Sequence, residues 1–101
     1  MMNLDGEWEC VAKTPMGSQK AVLRLVREGA SFSGVSTSAN GVSIELLDGR
    51  VEGDSISWRM EIPAPAKVML TGKATIAGDT LSGGLKAGPF GISPLTGVRR
   101  S

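Results

Sequence analysis

Four carboxylates stand inside segments of alternating polarity: Glu7, Glu9, Glu45 and Glu61. A carboxylate held in an apolar interior is pushed toward a neutral pKa and can then move protons. A pair of them inside a fold would suit a cofactor-free isomerase, cyclase or lyase, with Glu9, Glu45 or Glu61 as the acid or base. Cys10 is the one cysteine and a conceivable nucleophile, but the chain has no histidine to activate it and no tyrosine. A buried structural thiol is the simpler expectation for it. One thiol and no imidazole also leave few soft metal ligands, and the carboxylates do not fall at calcium-loop spacing. No metal and no cofactor are therefore expected. The glycines between Gly83 and Gly91 are not followed by Gly-Lys-Ser/Thr, so they read as turns and bends rather than a phosphate loop.

The elements that would carry these residues are written in a repeated phrase. It occurs as Glu28-Gly29-Ala30-Ser31-Phe32-Ser33, as Glu52-Gly53-Asp54-Ser55-Ile56-Ser57, and as Ala77-Gly78-Asp79-Thr80-Leu81-Ser82. A glycine followed by a small residue between alternating segments marks a two-residue hairpin turn, so three hairpins recur along the chain. Around them, period-two alternation predicts eight strands, roughly 6–13, 19–27, 31–38, 42–52, 55–62, 67–76, 80–86 and 92–99. The segment Ile56, Trp58, Met60, Ile62 against Ser55, Ser57, Arg59, Glu61 is the plainest. Good helix formers in 19–27 favour a helix locally, but the turn residues flanking it favour a strand. Asp48-Gly49 inside the fourth strand reads as a bulge, because splitting that strand would leave pieces too short to pair. Thr14-Pro15-Met16-Gly17, Ser38-Ala39-Asn40-Gly41, Pro63-Ala64-Pro65-Ala66 and Ala87–Gly91 are connections.

Strands joined by short turns are antiparallel, and a meander of eight either closes or exposes two edges. The expected fold is a single domain over residues 1–101: all-β, an eight-stranded antiparallel up-and-down barrel built on three hairpin repeats. Such an interior is just wide enough to be filled by side chains or to hold one small ligand. Each carboxylate, like Arg59 and Lys20, falls opposite the large apolar residues of its strand, which is the pattern of a solvated outer face.

Composition narrows the partners. The chain has 101 residues, 41% hydrophobic and 21% charged, with a formal net charge of +1. That balance fits one globular domain, and no concentrated basic face is available for nucleic acid. No apolar stretch approaches a membrane span, and no secretory leader is evident at Met1-Met2-Asn3-Leu4-Asp5. With a lone cysteine, a cytoplasmic location is expected. Val22, Val26, Leu47 and Met69 fall on the outward registers and suggest a homo-oligomer.

Gly6-Glu7-Trp8 opens the first strand and Arg99 closes the last. This resembles the calycin superfamily of lipocalins, fatty-acid-binding proteins and avidins. The resemblance implies an indole at the closed end of the barrel with a basic residue across it, and a ligand in the other end. The chain is shorter than a lipocalin, with no C-terminal helix, no disulfide and no helical lid. Phe32, Trp58, Met60 and Leu70 are the expected ligand-lining residues, and Trp8 and Arg99 the structural closure. The inward glycines Gly34, Gly72, Gly83 and Gly97 either let the sheet coil or leave space. The leading expectation is binding of a small hydrophobic or aromatic molecule inside the barrel. The alternatives are the carboxylate enzyme above and a solid structural or interaction barrel.

Overall fold

A computed structural model describes residues 4–14, 17–39, 41–62, 68–87 and 91–100. The predicted connections at Pro15-Met16, Asn40, Pro63–Ala66 and Gly88–Phe90 lie outside them. Eight strands follow in chain order: β1 Gly6–Thr14, β2 Gly17–Glu28, β3 Ser31–Ser38, β4 Ser43–Glu52, β5 Ser55–Ile62, β6 Val68–Ala77, β7 Thr80–Lys86 and β8 Ile92–Arg99. Each pairs antiparallel with the next, and β1 pairs with β8, so the sheet is a closed up-and-down barrel. The all-β barrel read from alternation is the observed fold. The stretch 19–27 is strand, because its Leu23 and Leu25 are buried only if they alternate with Arg24 and Val26.

The three repeated turns define one end. Gly29, Gly53 and Gly78 have φ of 64°, 61° and 61°, while the residue after each is not in the positive region. That is the type II′ pattern, whose twist matches the flanking strands. Each turn also docks onto the strand two places further on. The carbonyls of Ala30, Asp54 and Asp79 accept from the backbone N–H of Val51, Ile76 and Arg99, each at 2.8 Å. Where the fourth turn would be, the chain runs in through Asp5, whose Oδ1 accepts from Arg27 N at 2.6 Å.

The bulge falls at Asp48-Gly49. The three-residue interval Phe32–Gly34 of β3 faces the four-residue interval Leu46–Gly49, and against β5 the extra β4 residue falls between Leu47 and Arg50. It is Asp48, not the glycine, that takes positive φ, at 52°. Gly49 is needed for a different reason: a Cβ there would collide with the carbonyl and ring of Phe32.

The inward registers form one core. Trp8, Cys10, Leu23, Leu25, Phe32, Leu46, Val51, Ile56, Trp58, Met60, Ala74, Ile76, Leu81 and Leu95 are all buried. Each large aliphatic member contributes about 1.5–3 kcal/mol, whereas an exposed ion pair contributes about 0–1 kcal/mol, so the core dominates.

Candidate ligand site

The site is the barrel interior, and its two ends differ. At the turn end, Trp8 is fully buried, and its Nε1 donates to the Leu4 carbonyl at 3.0 Å. Trp8 and Arg99 are register partners across the β1–β8 seam, and the guanidinium lies 4.3 Å from the indole centroid. Arg99 Nη1 donates to the Asp5 carbonyl at 2.5 Å and Nε to Asp79 Oδ1 at 3.1 Å. One cation thus caps the indole and ties the incoming chain to the β6–β7 turn. Around it, Leu25, Phe32, Val51, Ile56, Ile76 and Leu81 are buried. This half is filled with large side chains.

Toward the other end several inward positions become accessible. Ala21, Ile44, Leu70, Leu85 and Ser93 are only half-buried, although each pairs with an inward residue. These positions lie toward the strand ends away from the three repeated turns, so the interior meets solvent at this end of the barrel.

The expected lining residues span both halves. Met60 and Leu70 are register partners on β5 and β6, in the open half. Trp58 lies next inward along β5 and packs on Gly72 of β6. Phe32 sits lower, one residue above the Gly29-Ala30 turn, and meets Trp58 edge-on with centroids 6.4 Å apart.

The four inward glycines do not leave cavities. A Cβ on Gly72 would strike the Trp58 indole, on Gly97 it would lie 2.7 Å from Cys10 Sγ, and on Gly34 and Gly83 it would hit the neighbouring strand's backbone. They serve close approach of chain to chain and chain to ring. Gly83 and Gly84 instead open a groove of about 560 Å³ on the outer face, beside Arg50, Ser57 and Lys73.

One polar residue inside the barrel was not singled out by sequence: Ser36 is 7% exposed and inward between Leu23 and Ile44. The Trp58 Nε1–H is sealed from water and has no acceptor. Counting by twos from Phe32 reaches Ser36, so alternation was the available signal for it.

The carboxylate alternative loses its residues. Glu9, Glu45 and Glu61 are exposed on outward registers, because each alternates with a buried apolar neighbour. Glu9 pairs with Arg100 at 3.5 Å. Glu7 binds Arg24 at 2.6 Å, and that hydrogen bond holds its pKa below the ordinary carboxylate value. Burial pushes the Cys10 thiol up to about 11, so it is protonated and unreactive at neutral pH. Among the described residues no group of three or more His, Cys, Asp or Glu side chains could hold a metal.

No family model and no curated protein matches the sequence. Among solved structures, a redesigned β-barrel, mFAP1, bound to DFHBI, is similar to this chain. The TM-score is 0.67 at 15% identity, covering 96% of this chain and 94% of that one. At that identity the likeness shows the fold alone: an eight-stranded antiparallel barrel.

Proposed function

We propose that the protein binds a small, largely apolar or aromatic molecule in the open half of its barrel. The observation that carries this is the change in burial along the inward registers, from sealed at the Trp8–Arg99 end to half-exposed at Ala21, Ile44, Leu70, Leu85 and Ser93. That a similar barrel holds DFHBI supports the reading. Met60 and Leu70 form the wall, with Trp58 below them as an internal fluorophore. The Trp8–Arg99 closure is also the basis for placing this barrel beside the calycins.

The test is titration of tryptophan emission with a panel of naphthalene-based and aliphatic probes. Saturable change is expected for the aromatic ones. Leu70→Trp, which fills the opening, should abolish it while the melting temperature holds. No saturable change with any probe, together with a crystal structure showing the upper interior filled, would defeat the proposal.

A homo-oligomer would have to cover Val26, Leu47 and Met69 together with the polar residues they face across the ladders, Ser33, Arg59 and Glu61. Light scattering at micromolar concentration, reading one chain mass or more, decides it.

A further inference from the structure

Two hydrogen-bonding side chains, Ser36 and Trp58, are buried in a mostly apolar interior, and the Trp58 Nε1–H has no acceptor in the fold. The Ser36 side chain is 7% exposed and that of Trp58 lies in a residue 2% exposed. Other interior polar groups are satisfied: Trp8 Nε1 has the Leu4 carbonyl, and the Cys10 thiol points at the Trp8 carbonyl at 3.8 Å. Buried donors are almost always paired, and an indole N–H without an acceptor costs the full desolvation of that group. The same chemistry recurs in ligand sites, where a few placed polar groups orient an apolar molecule.

We infer that the ligand carries a hydrogen-bond-accepting oxygen on its apolar frame, a carbonyl or a similar group, received by the Trp58 N–H and the Ser36 hydroxyl. The indole is a donor only, so it demands an acceptor; the hydroxyl can donate to the same or a second one. A ligand with two acceptor atoms satisfies both groups, and one with none leaves the indole orphaned. The Trp58 nitrogen is sealed from solvent, so the acceptor reaches it by displacing a neighbouring side chain. This inference rests on the interior binding proposed above and names the chemistry that the interior selects.

A matched pair of probes separates the two claims. Acetylnaphthalene and ethylnaphthalene have nearly the same shape and differ in a carbonyl against a methylene. Wild-type protein should bind the ketone about tenfold more tightly, about 1.4 kcal/mol. Ser36→Ala and Trp58→Phe, titrated through the probes' own naphthalene emission, should each cut that preference to about threefold or less. Proton–nitrogen correlation spectra give a second readout without mutation. The Trp58 indole N–H should move downfield with the ketone and not with the hydrocarbon. The Trp8 N–H, already bonded to Leu4, should stay in place. Equal affinity for the two probes, or ketone binding that leaves the Trp58 N–H unmoved, overturns the inference and spares the pocket. Binding of neither probe overturns the pocket itself and the inference with it.

Discussion

Truncating Trp8 should remove more stability than any other single change in the chain. The residue is 0% exposed, donates to the Leu4 carbonyl, and lies under the Arg99 guanidinium at 4.3 Å. Trp8→Ala leaves a cavity costing about 3–5 kcal/mol. It also forfeits a partly desolvated cation–π contact of about 1–2 kcal/mol, since the Arg99 side chain is only 14% exposed. The Leu4 carbonyl loses its donor, about another 1 kcal/mol. The whole is comparable to the total stability of a domain, about 5–15 kcal/mol, so Trp8→Ala should be unfolded or nearly so. Trp8→Phe keeps an aromatic face and should lose about 1–3 kcal/mol. Arg99→Ala uncovers the indole and frees Asp5 and Asp79, for about 1–3 kcal/mol. Arg100 makes only an exposed pair with Glu9, so Arg100→Ala should cost under about 0.5 kcal/mol. One kcal/mol moves the midpoint by about 4–8 °C in a domain of this size. Circular dichroism melts should therefore place Trp8→Ala lowest and Arg100→Ala nearest the wild type, with Trp8→Phe and Arg99→Ala between them. If Arg100→Ala loses more than Arg99→Ala, or Trp8→Ala melts with the wild type, the closed-end reading is wrong.

Leu81 and Leu85 are both inward on β7, the first buried and the second half-exposed. Leu81→Ala should cost about 2–5 kcal/mol and Leu85→Ala about 1 kcal/mol, and equal urea midpoints would contradict an open upper half. Gly72→Ala drives a methyl into the Trp58 indole and should cost about 1–3 kcal/mol with altered tryptophan emission; an unchanged spectrum and melt would show that the ring does not pack there. Asp48→Gly should be neutral or slightly stabilising, because φ at 52° is strained for aspartate and its pair with Arg59 is exposed, whereas Asp48→Val should lose about 1–2 kcal/mol; the reverse order in denaturant would refute the bulge geometry. Burial raises the Cys10 pKa from 9.0 to about 11, so the folded value exceeds the unfolded one. Its contribution is complete below about pH 9 and is lost as pH rises through 11. Urea midpoints of the wild type should fall faster over that window than those of Cys10→Ala, and parallel curves would show the thiol is not desolvated.

The fold was largely legible because a barrel of hairpins writes its geometry in period two. Ile56, Trp58 and Met60 can share a face only as a strand, and Gly-Asp at Gly53 and Gly78 leaves room for little but a tight turn. The seam follows from closure: counting inward positions down β8 through Leu95 and Gly97 brings Arg99 opposite Trp8. Legibility stops where a residue's role depends on a strand remote in sequence. Asp48-Gly49 announced a bulge, but not that aspartate would take the positive φ; Phe32, sixteen residues earlier in chain order than Asp48, forces glycine into the other place. Gly72 could have been a cavity or a platform, and the indole of Trp58 decides it. The turn-docking bonds from Ala30, Asp54 and Asp79 use backbone atoms and leave no mark in side-chain identity. Outward carboxylates were legible as solvated by alternation alone. The unpaired Trp58 N–H was not, since an orphaned group is defined by what fails to reach it.

On the binding proposed above, the two ends of the barrel divide stability from binding. At the turn end, three carbonyl contacts, the Asp5 carboxylate and the Arg99 guanidinium all bridge elements that side-chain packing already holds. Constraints of that kind over-determine the geometry there, so the strands enter the open half with their directions set. The open half then needs no dense core of its own to stay closed: each ladder continues upward from a fixed start, and the β1–β8 seam runs from Trp8 to Ala12 without a break. Under-packing at Ala21, Ile44 and Leu70 is tolerable for that reason, and it costs only the burial those side chains forgo. A ligand entering there would recover that burial and reach the orphaned indole below, while the Trp8–Arg99 end stays as it is. The closed end is therefore what permits inward positions left half-buried at the other end, and the binding proposed there should respond to Ser36, Trp58 and Leu70 far more than to any residue around Arg99.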